Sequence, residues 1–323
     1  MAHQKETYVI GVDIGGTHIS SAVVAVQEKR IIDHTYATSH VANLESLESI
    51  MQTWANTLNK TIEAAQEIPL LGIAYAIPGP FDYKEGVAKY PEGFKYGSLY
   101  QTKIEENLNP LLSHSSYLPM RFLNDATSFA VGEAWLSEAD GNKKQLCITL
   151  GTGLGAGFIE NGIPIVTGNT VPPNGCLWNI LHEDGMADDY FSTRGIIKAY
   201  HEATGKNAAG VKELADNFDT DAKIKEVFDA FGNDLGDFLA PWLKTFQTDV
   251  LVLGGNISKA YFCFGTALQE SLKKNNLTIP IKISHHMEKG AIMGCTRVFN
   301  SNFWMHKNNP YDLKSSNCRR RET

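Results

Sequence analysis

The chain has 323 residues, of which 43% are hydrophobic, 10% aromatic and 20% charged. This balance is typical of folded globular proteins and excludes wholesale disorder and fibrous repeats, and the length suggests about two domains. Lysine and arginine number 29 against 36 aspartates and glutamates, which gives a net charge of −7. Because nucleic acids and anionic membranes need a basic face, neither is expected as a partner, and small molecules are favoured.

Targeting signals and cysteine spacing point to a reduced compartment. The N-terminus shows no apolar secretory segment, and no stretch approaches the ~18 apolar residues of a membrane span. The five cysteines stand far apart, without a CxxC pair. An odd number of isolated cysteines is not typical of a disulfide framework or a zinc module. A cytoplasmic location is therefore predicted.

The first 80 residues predict strands around one long helix. Two short apolar runs, 8–13 and 19–26, flank Gly15-Gly16 and indicate a hairpin. In 43–66, apolar residues recur at steps of three and four, which predicts a long helix. Leu70 to Ile77 has the pattern of a buried strand stopped by Pro78-Gly79-Pro80.

The rest of the chain continues the alternation. One strand is predicted to end at 121–123, and others are predicted over 145–150, 158–159, 163–166 and 250–253. Helices are predicted after Asp125, over 187–201, over 221–246, from about 258, and over 288–299. The order strand, glycine turn, strand occurs at both 8–26 and 145–166, which suggests two halves of similar architecture. The tail after Phe299 is polar and ends in three arginines, which favours a solvated end over a nucleic-acid role.

Three glycine clusters follow three separate apolar strands. They are Asp13-Ile-Gly-Gly-Thr17, Gly151-Thr-Gly-Leu-Gly155 and Gly254-Gly255-Asn256. Glycine lets main-chain N–H groups approach an anion closely. A single cluster is usually a tight turn, but three at strand ends favour phosphate binding.

Two common nucleotide motifs are excluded. Residues 151–156 match Gly-x-Gly-x-x-Ala, the dinucleotide fingerprint, which needs a helix directly after the turn and an acidic residue about 20 positions later. Here 156–159 continues as a strand, and the residue 20 positions after Ala156 is Cys176. No Gly-x-x-x-x-Gly-Lys-Ser/Thr motif occurs either, so neither NAD binding nor a P-loop is expected.

Taken together, the motifs resemble the ROK family of sugar kinases (repressors, open reading frames, kinases). The resemblance covers about 8–298 and depends on six motifs in the family's order: Gly11-Val-Asp-Ile-Gly-Gly-Thr17, Gly72-Ile-Ala-Tyr-Ala-Ile-Pro-Gly-Pro80, Leu123-Asn-Asp-Ala126 leading to Gly132-Glu133, Leu150-Gly-Thr-Gly-Leu-Gly-Ala-Gly157, Leu253-Gly-Gly-Asn-Ile-Ser258 and Gly290-Ala-Ile-Met-Gly294. Each motif alone is weak, and the ordered set is specific.

The resemblance implies an α/β fold with two ribonuclease-H-like domains, that of the sugar kinase, heat-shock and actin ATPases. An N-terminal α/β domain of 1–126 plus about 288–323 and a C-terminal α/β domain of 127–287 would enclose a cleft. ATP and a hexose would meet there, with domain closure excluding water. The resemblance also suggests a homodimer.

The resemblance further implies the roles of individual residues. The groups that would bind the ATP phosphates and the adenosine are Asp13, Gly15, Gly16, Thr17, Gly151, Thr152, Gly153, Gly254, Gly255 and Asn256. Asp13 is also expected to bind Mg²⁺, directly or through water; the alternative is a side chain that stabilises the turn. Asp125 matches the general base, which would accept a proton from the attacking hydroxyl, expected to be the 6-OH. Sugar contacts would come from Gly79, Asn124, Asp125, Asn174 and Asp188, although an Asn-Asp pair alone more often caps a helix.

The sequence departs from the family between 171 and 192. Many members carry Gly-Glu-x-Gly-His and a cysteine-rich zinc segment there, whereas this chain has Val171-Pro-Pro-Asn-Gly-Cys-Leu-Trp-Asn-Ile-Leu-His182. Cys176 alone cannot build a four-ligand site, so no structural zinc is expected. Tyr90 to Phe94 likewise replaces the usual Asn-Leu-x-Gly-Trp. Since polar groups aimed at hydroxyls decide sugar specificity, these changes leave the identity of the sugar open, and glucose is not assumed.

Three other functions are compatible with part of the pattern. A sugar-sensing repressor would carry a helix-turn-helix before the first strand, and only seven residues precede Tyr8. A sugar-binding or regulatory protein without kinase activity is the main alternative, opposed by the retained Asp125 and both phosphate turns. A heat-shock-type ATPase is opposed by the Pro78-Gly79-Pro80 and Asn124-Asp125 motifs, although fold alone would not exclude it.

Overall fold

The computed structural model describes residues 6–137, 143–286 and 288–304. The chain divides into two compact units, the first with bounds Met1–Leu136 and Glu288–Thr323 and the second with bounds Ser137–Met287. No helix among the described residues is both long enough and apolar enough to cross a membrane.

Strands and helices alternate along both units. The strands are β1 Tyr8–Ile14, β2 His18–Ala25, β3 Arg30–Ile31, β4 Ala37–His40, β5 Leu70–Ile77, β6 Phe81–Asp82, β7 Val87–Ala88, β8 Met120–Asn124, β9 Lys144–Leu150, β10 Leu154–Glu160, β11 Ile163–Pro164, β12 Leu181–His182, β13 Gly185–Met186, β14 Val250–Gly254 and β15 Ile281–Ile283. The helices are α1 Leu47–Ala65, α2 Ile104–Leu108, α3 Asp125–Leu136, α4 Ala187–Tyr190, α5 Thr193–Thr204, α6 Val211–Asp216, α7 Ala222–Phe246, α8 Tyr261–Lys274, α9 Glu288–Thr296 and α10 Ser301–Trp304.

The sheet of the first unit has the order β3-β2-β1-β5-β8, and β4 also pairs with β2. β1 and β2 form the antiparallel hairpin that the sequence predicts, and β1, β5 and β8 run parallel. Parallel strands that are covered on both faces have nearly continuous apolar sequences, and β1 and β5 follow this pattern. Their carboxyl ends bring Asp13 and Asn124-Asp125 to the same edge of the sheet.

Helices cover the sheet of the first unit. α1 begins after Ser46, whose side chain accepts a hydrogen bond from Ser49 N. Its apolar stripe buries Trp54 and Leu58, as the periodicity predicts. α3 and α9 approach so closely that a Cβ on Gly132 would lie 2.0 Å from the carbonyl oxygen of Gly290. Two of the motif glycines therefore serve helix packing.

The sheet of the second unit has the order β11-β10-β9-β14-β15. β9 and β10 form a second antiparallel hairpin, and β14 lies parallel to β9. β10 continues as a strand for seven residues directly after the glycine turn, which agrees with the exclusion of a dinucleotide-binding turn. A single hydrophobic core includes Phe158, Phe228 and Phe264.

Several predicted elements differ from the observed ones. The helix predicted over 187–201 is broken into α4 and α5, because Phe191 turns into the core and Thr193 starts a new helix beside Gly151. The helix predicted over 288–299 ends at Thr296 and continues as a 3₁₀ turn. The tail is not solvated from Phe299 onward: α10 follows, and Phe303 is buried, its ring 5.7 Å from the Arg297 guanidinium. The three terminal arginines lie outside the described residues.

Candidate active site

The first glycine turn links β1 to β2 and is fixed by side chains from outside the hairpin. Gly15 N donates to His18 O at 2.9 Å. The Tyr96 hydroxyl donates to Gly15 O at 2.7 Å, and Asn43 Nδ2 donates to Gly16 O. Within the described residues, no hydrogen bond is found from the N–H groups of Gly16 or Thr17. A rigid turn with two available amides is suited to an anion.

Asp13 stands near the end of β1, below this turn. Its backbone pairs with Ser20 on β2 and Ala76 on β5. Burial, and then the carboxylates of Asp125 and Glu288, raise the pKa of Asp13 well above its usual range. In the described part of the chain, no hydrogen bond or ion pair is made by this carboxylate. Such an uncompensated acid is expected to attract a cation.

Asp125 is the first residue of α3 and directly follows β8. One carboxylate oxygen, Oδ1, accepts from Ala126 N at 2.9 Å and from Asn124 Nδ2 at 2.8 Å. No partner for Oδ2 is found among the described residues. Burial raises the pKa of Asp125, although these hydrogen bonds oppose the rise. The side chain is thus held in place by one oxygen, and the other is available to accept a proton.

Asn124 caps α3 and also contacts a neighbouring tyrosine. Its Oδ1 accepts from Thr127 N at 3.1 Å, which caps α3, and its Nδ2 also donates to the Tyr83 hydroxyl at 3.1 Å. The same hydroxyl would lie 3.3 Å from a Cβ on Gly79. The structure therefore brings together Gly79, Asn124 and Asp125, three of the residues expected to contact sugar.

The second glycine turn, at 151–153, joins β9 to β10. Gly151 N donates to Gly153 O at 3.1 Å. At the start of α5, Thr193 donates to Gly151 O through both its N–H, at 2.8 Å, and its hydroxyl, at 3.0 Å. The Arg194 guanidinium reaches Thr152 O at 3.4 Å. Thr152 itself is exposed.

The third glycine turn packs directly against the second hairpin. Gly255 has φ of +78°, and a Cβ there would lie 2.3 Å from Leu150 O. Only glycine satisfies both the left-handed backbone and this close approach. Gly254 pairs with Thr149, and Asn256 opens a 3₁₀ helix in which its Oδ1 accepts from Lys259 Nζ at 3.0 Å. Two predicted nucleotide turns are thereby adjacent.

The two sugar contacts expected in the second unit occupy different surroundings. Asp188 Oδ1 accepts from Leu154 N at 2.6 Å, and its other oxygen forms an ion pair with Arg194. Asp188 thus stabilises the second glycine turn. Asn174 lies exposed in a 3₁₀ turn with φ of +59°. A direct sugar contact from either residue stays a prediction.

Four residues beside the turns were not singled out from the sequence. They are Asn43, Tyr96, Thr193 and Arg194, which act through bonds to turn carbonyls or their flanks. Of these four, only Tyr96 lies next to a sequence feature that points to the site, because it closely follows the segment 90–94, where the sequence departs from the family. Over residues 6–137, 143–286 and 288–304, no group of three or more His, Cys, Asp or Glu side chains is placed to hold a metal ion.

Comparison with known proteins places these features in a family. The sequence matches the ROK family over residues 9–301, which includes both hairpins, Asp125 and the third glycine turn. The chain belongs to the ROK family. Among curated relatives of this ROK protein, the glucokinase of Thermotoga maritima is 26% identical, with 78% of this chain and 83% of the relative covered. The N-acetyl-D-glucosamine kinase of Haemophilus influenzae is 25% identical, with 90% and 98% covered.

Solved structures agree on the fold. The ROK family glucokinase from Streptomyces griseus, solved with glucose and AMPPNP, has a TM-score of 0.70 at 20% identity and covers 90% of this chain and 98% of its own. The α/β fold expected from the motifs, that of the sugar kinase and actin ATPases, is thereby confirmed for this ROK protein.

Proposed function

We propose that this ROK protein is an ATP-dependent kinase that phosphorylates a hydroxyl of a hexose or hexose derivative, with Asp125 as the general base. The observation that carries the proposal is the Asp125 carboxylate, fixed through Oδ1 while no described residue binds Oδ2. Relatives named as glucokinase and N-acetyl-D-glucosamine kinase support the reaction class.

Asp125 would accept the proton of the attacking hydroxyl as the new P–O bond forms. Burial raises the pKa of Asp125, which makes the ionised carboxylate a stronger base than that of an exposed aspartate. Asn124 orients it through Nδ2, and a sugar hydroxyl bound by Asn124 would replace the Tyr83 hydroxyl as the second partner of that amide. We propose the primary 6-hydroxyl as acceptor, since a primary alcohol is the least hindered.

The glycine turns would bind the nucleotide. The main-chain N–H groups of Gly16 and Thr17 and of Thr152 and Gly153 are suited to phosphate oxygens, whereas Gly15 N and Gly151 N already donate within their own turns. Gly254, Gly255 and Asn256 would contact the adenosine. Phosphoryl transfer needs mainly alignment and charge neutralisation, and two such turns supply donors for both.

The residues present fit a magnesium ion. Mg²⁺ takes oxygen ligands and few protein carboxylates, and Asp13 offers a carboxylate whose pKa is raised by burial and then by the carboxylates of Asp125 and Glu288. Asp13 would hold the ion directly or through water. When bound, Mg²⁺ would offset the charge of the triphosphate. A cytoplasmic location and a homodimer stay predictions from the sequence.

An ADP-release screen over hexoses, N-acetylhexosamines and ketoses tests the proposed function. Sugar-dependent ADP release with at least one of these classes is expected, and mass analysis of the product would locate the phosphate. Sugar binding without turnover on every candidate would favour the non-catalytic alternative and overturn the proposal.

A further inference from the structure

Lys95 places a cation directly at the first glycine turn. Its Nζ lies 3.0 Å from the position that a Cβ on Gly16 would take, so any side chain at 16 would meet the ammonium group. Lys95 itself is exposed, whereas Gly16 is half-buried. The positive charge therefore stands over the turn, beside the N–H groups that are available for an anion.

The neighbouring residue fixes this position. Tyr96 is only 1% exposed, and it bonds to both sides of the site: its hydroxyl donates to Gly15 O and its N–H donates to Asn43 O at 2.8 Å. Asn43 in turn donates to Gly16 O. The ring of Tyr96 packs against Trp54, with the centroids 5.7 Å apart. The backbone at Lys95 is therefore anchored beside the turn.

The same loop also reaches the neighbourhood of Asp125. The Tyr90 hydroxyl donates to Pro78 O at 2.8 Å, and its ring lies 5.7 Å from that of Tyr96. Burial and then the Asp125 carboxylate raise the pKa of Tyr90. One short segment thus links the surroundings of the base to the turn where Lys95 stands.

The ammonium group has no anionic partner in the described part of the chain. Lys103, by contrast, is an exposed lysine of the same unit that pairs with Glu106 at 2.7 Å. A lysine that is held beside two available amides, and is not neutralised by a carboxylate, is suited to a phosphate group, which needs several donors and positive charge.

We propose that Lys95 binds the terminal phosphoryl group of ATP, the group that is transferred. The inference rests on the proposed function. Because Asp125 lies in the same unit and would deprotonate the acceptor, the group in transit must come within reach of this unit. Lys95 would contribute three N–H donors and one positive charge as negative charge builds on the transferred oxygens.

The test compares Lys95→Met and Lys95→Arg with the control Lys103→Met. The methionine variant keeps the apolar stem and removes the charge. We expect its kcat to fall about 10- to 100-fold, as for loss of one charge-assisted contact, and the arginine variant to recover part of it. The control is expected to match the wild type. All three variants should keep the wild-type Tm, since Lys95 and Lys103 are both exposed.

A binding experiment that needs no turnover identifies the phosphate. Titration calorimetry without sugar should show that Lys95→Met weakens binding of a non-hydrolysable ATP analogue and leaves ADP affinity unchanged. Equal effects on both nucleotides, or no effect on either, would overturn the inference. If the wild type phosphorylates no sugar, the proposed function fails; if it does and Lys95→Met equals it, only the role of Lys95 fails.

Discussion

Asp13 lies near the end of β1 and Asp125 directly follows β8, a parallel strand separated from β1 by β5 alone, and burial and then the charge of Asp125 raise the pKa of Asp13. Two half-buried carboxylates at one sheet edge are unfavourable for the empty protein. The same arrangement is useful to a phosphotransferase, since one acid can attract a cation and the other can accept a proton. Substitution of each aspartate alone separates these two roles.

Asp125→Asn is expected to lower kcat about 10²- to 10⁴-fold, because the amide cannot accept the hydroxyl proton. Nucleotide affinity should stay near that of the wild type, since the proposed nucleotide contacts lie in the glycine turns. Coupled ADP release and nucleotide titration measure both quantities. Asp33→Asn, at a residue whose side chain is 88% exposed, is the matched control. Near-normal turnover by Asp125→Asn would remove Asp125 from its role.

The rate should depend on the ionisation of Asp125. Burial raises its pKa above 3.8, the ordinary value. Only the ionised form is a base, so kcat/KM is expected to be full above the raised pKa and to fall as the pH drops through it. A pH–rate profile at constant ionic strength would show an acid limb with its midpoint above 3.8. Tm measured at each pH separates this limb from acid unfolding. A midpoint at or below 3.8 would contradict the assignment.

Asp13 should make the folded protein less stable as the pH rises, whereas a salt-bridged aspartate makes it more stable. Because its pKa in the folded protein is raised, the folded state binds the proton more tightly, and its contribution is present at low pH and lost as the pH rises through the raised pKa. Asp13→Asn should therefore raise the Tm at neutral pH in the absence of nucleotide and metal. It should also lower kcat about 100-fold or more, through loss of the proposed metal contact.

The pH dependence of the Tm is the control for Asp13→Asn. The gain in Tm should shrink toward acid pH, where the wild-type side chain is protonated and already neutral. A gain that is equal at all pH values would mean that packing, and not the charge, is responsible. A decrease at neutral pH would contradict the burial of an uncompensated acid.

Two glycines with nearly the same backbone angle distinguish close packing from backbone strain. Gly255 has φ of +78° and would place a Cβ 2.3 Å from Leu150 O, whereas Gly162 has φ of +77° and nothing within 4 Å. Gly162→Ala should cost about 1 kcal/mol from the left-handed backbone alone. Gly255→Ala should cost about 2–4 kcal/mol and weaken nucleotide binding. Denaturant unfolding measures both variants, and equal losses would show that the contact with Leu150 is not tight.

Elemental analysis of the purified protein is expected to show no stoichiometric zinc. The basis is the sequence between 171 and 182, where Cys176 stands without the cysteines of the family's zinc segment. Magnesium added with ATP serves as the positive control for metal detection. One tightly bound zinc per chain would contradict the inference that the zinc segment is deleted.

Local sequence features predicted most of the secondary structure near the site. The hairpin of β1 and β2, the strand Leu70–Ile77 and the long α1 follow from periodicity and glycine punctuation, which act over a few residues. Boundaries failed where a distant contact decided them. The break between α4 and α5, for example, depends on the bonds from Thr193 to Gly151, 42 residues away in the sequence.

The amino-acid sequence by itself determined the family, the glycine turns and the aspartate proposed as base, because ordered motifs carry their own spacing. Tertiary structure alone decided that Gly255 abuts Leu150, that Asp188 braces the second hairpin, and that Lys95 stands over Gly16. Each of these contacts joins residues from about 34 to 105 positions apart in the chain, as between Leu154 and Asp188 or between Leu150 and Gly255. No local pattern encodes such neighbours, since packing of the whole unit brings them together.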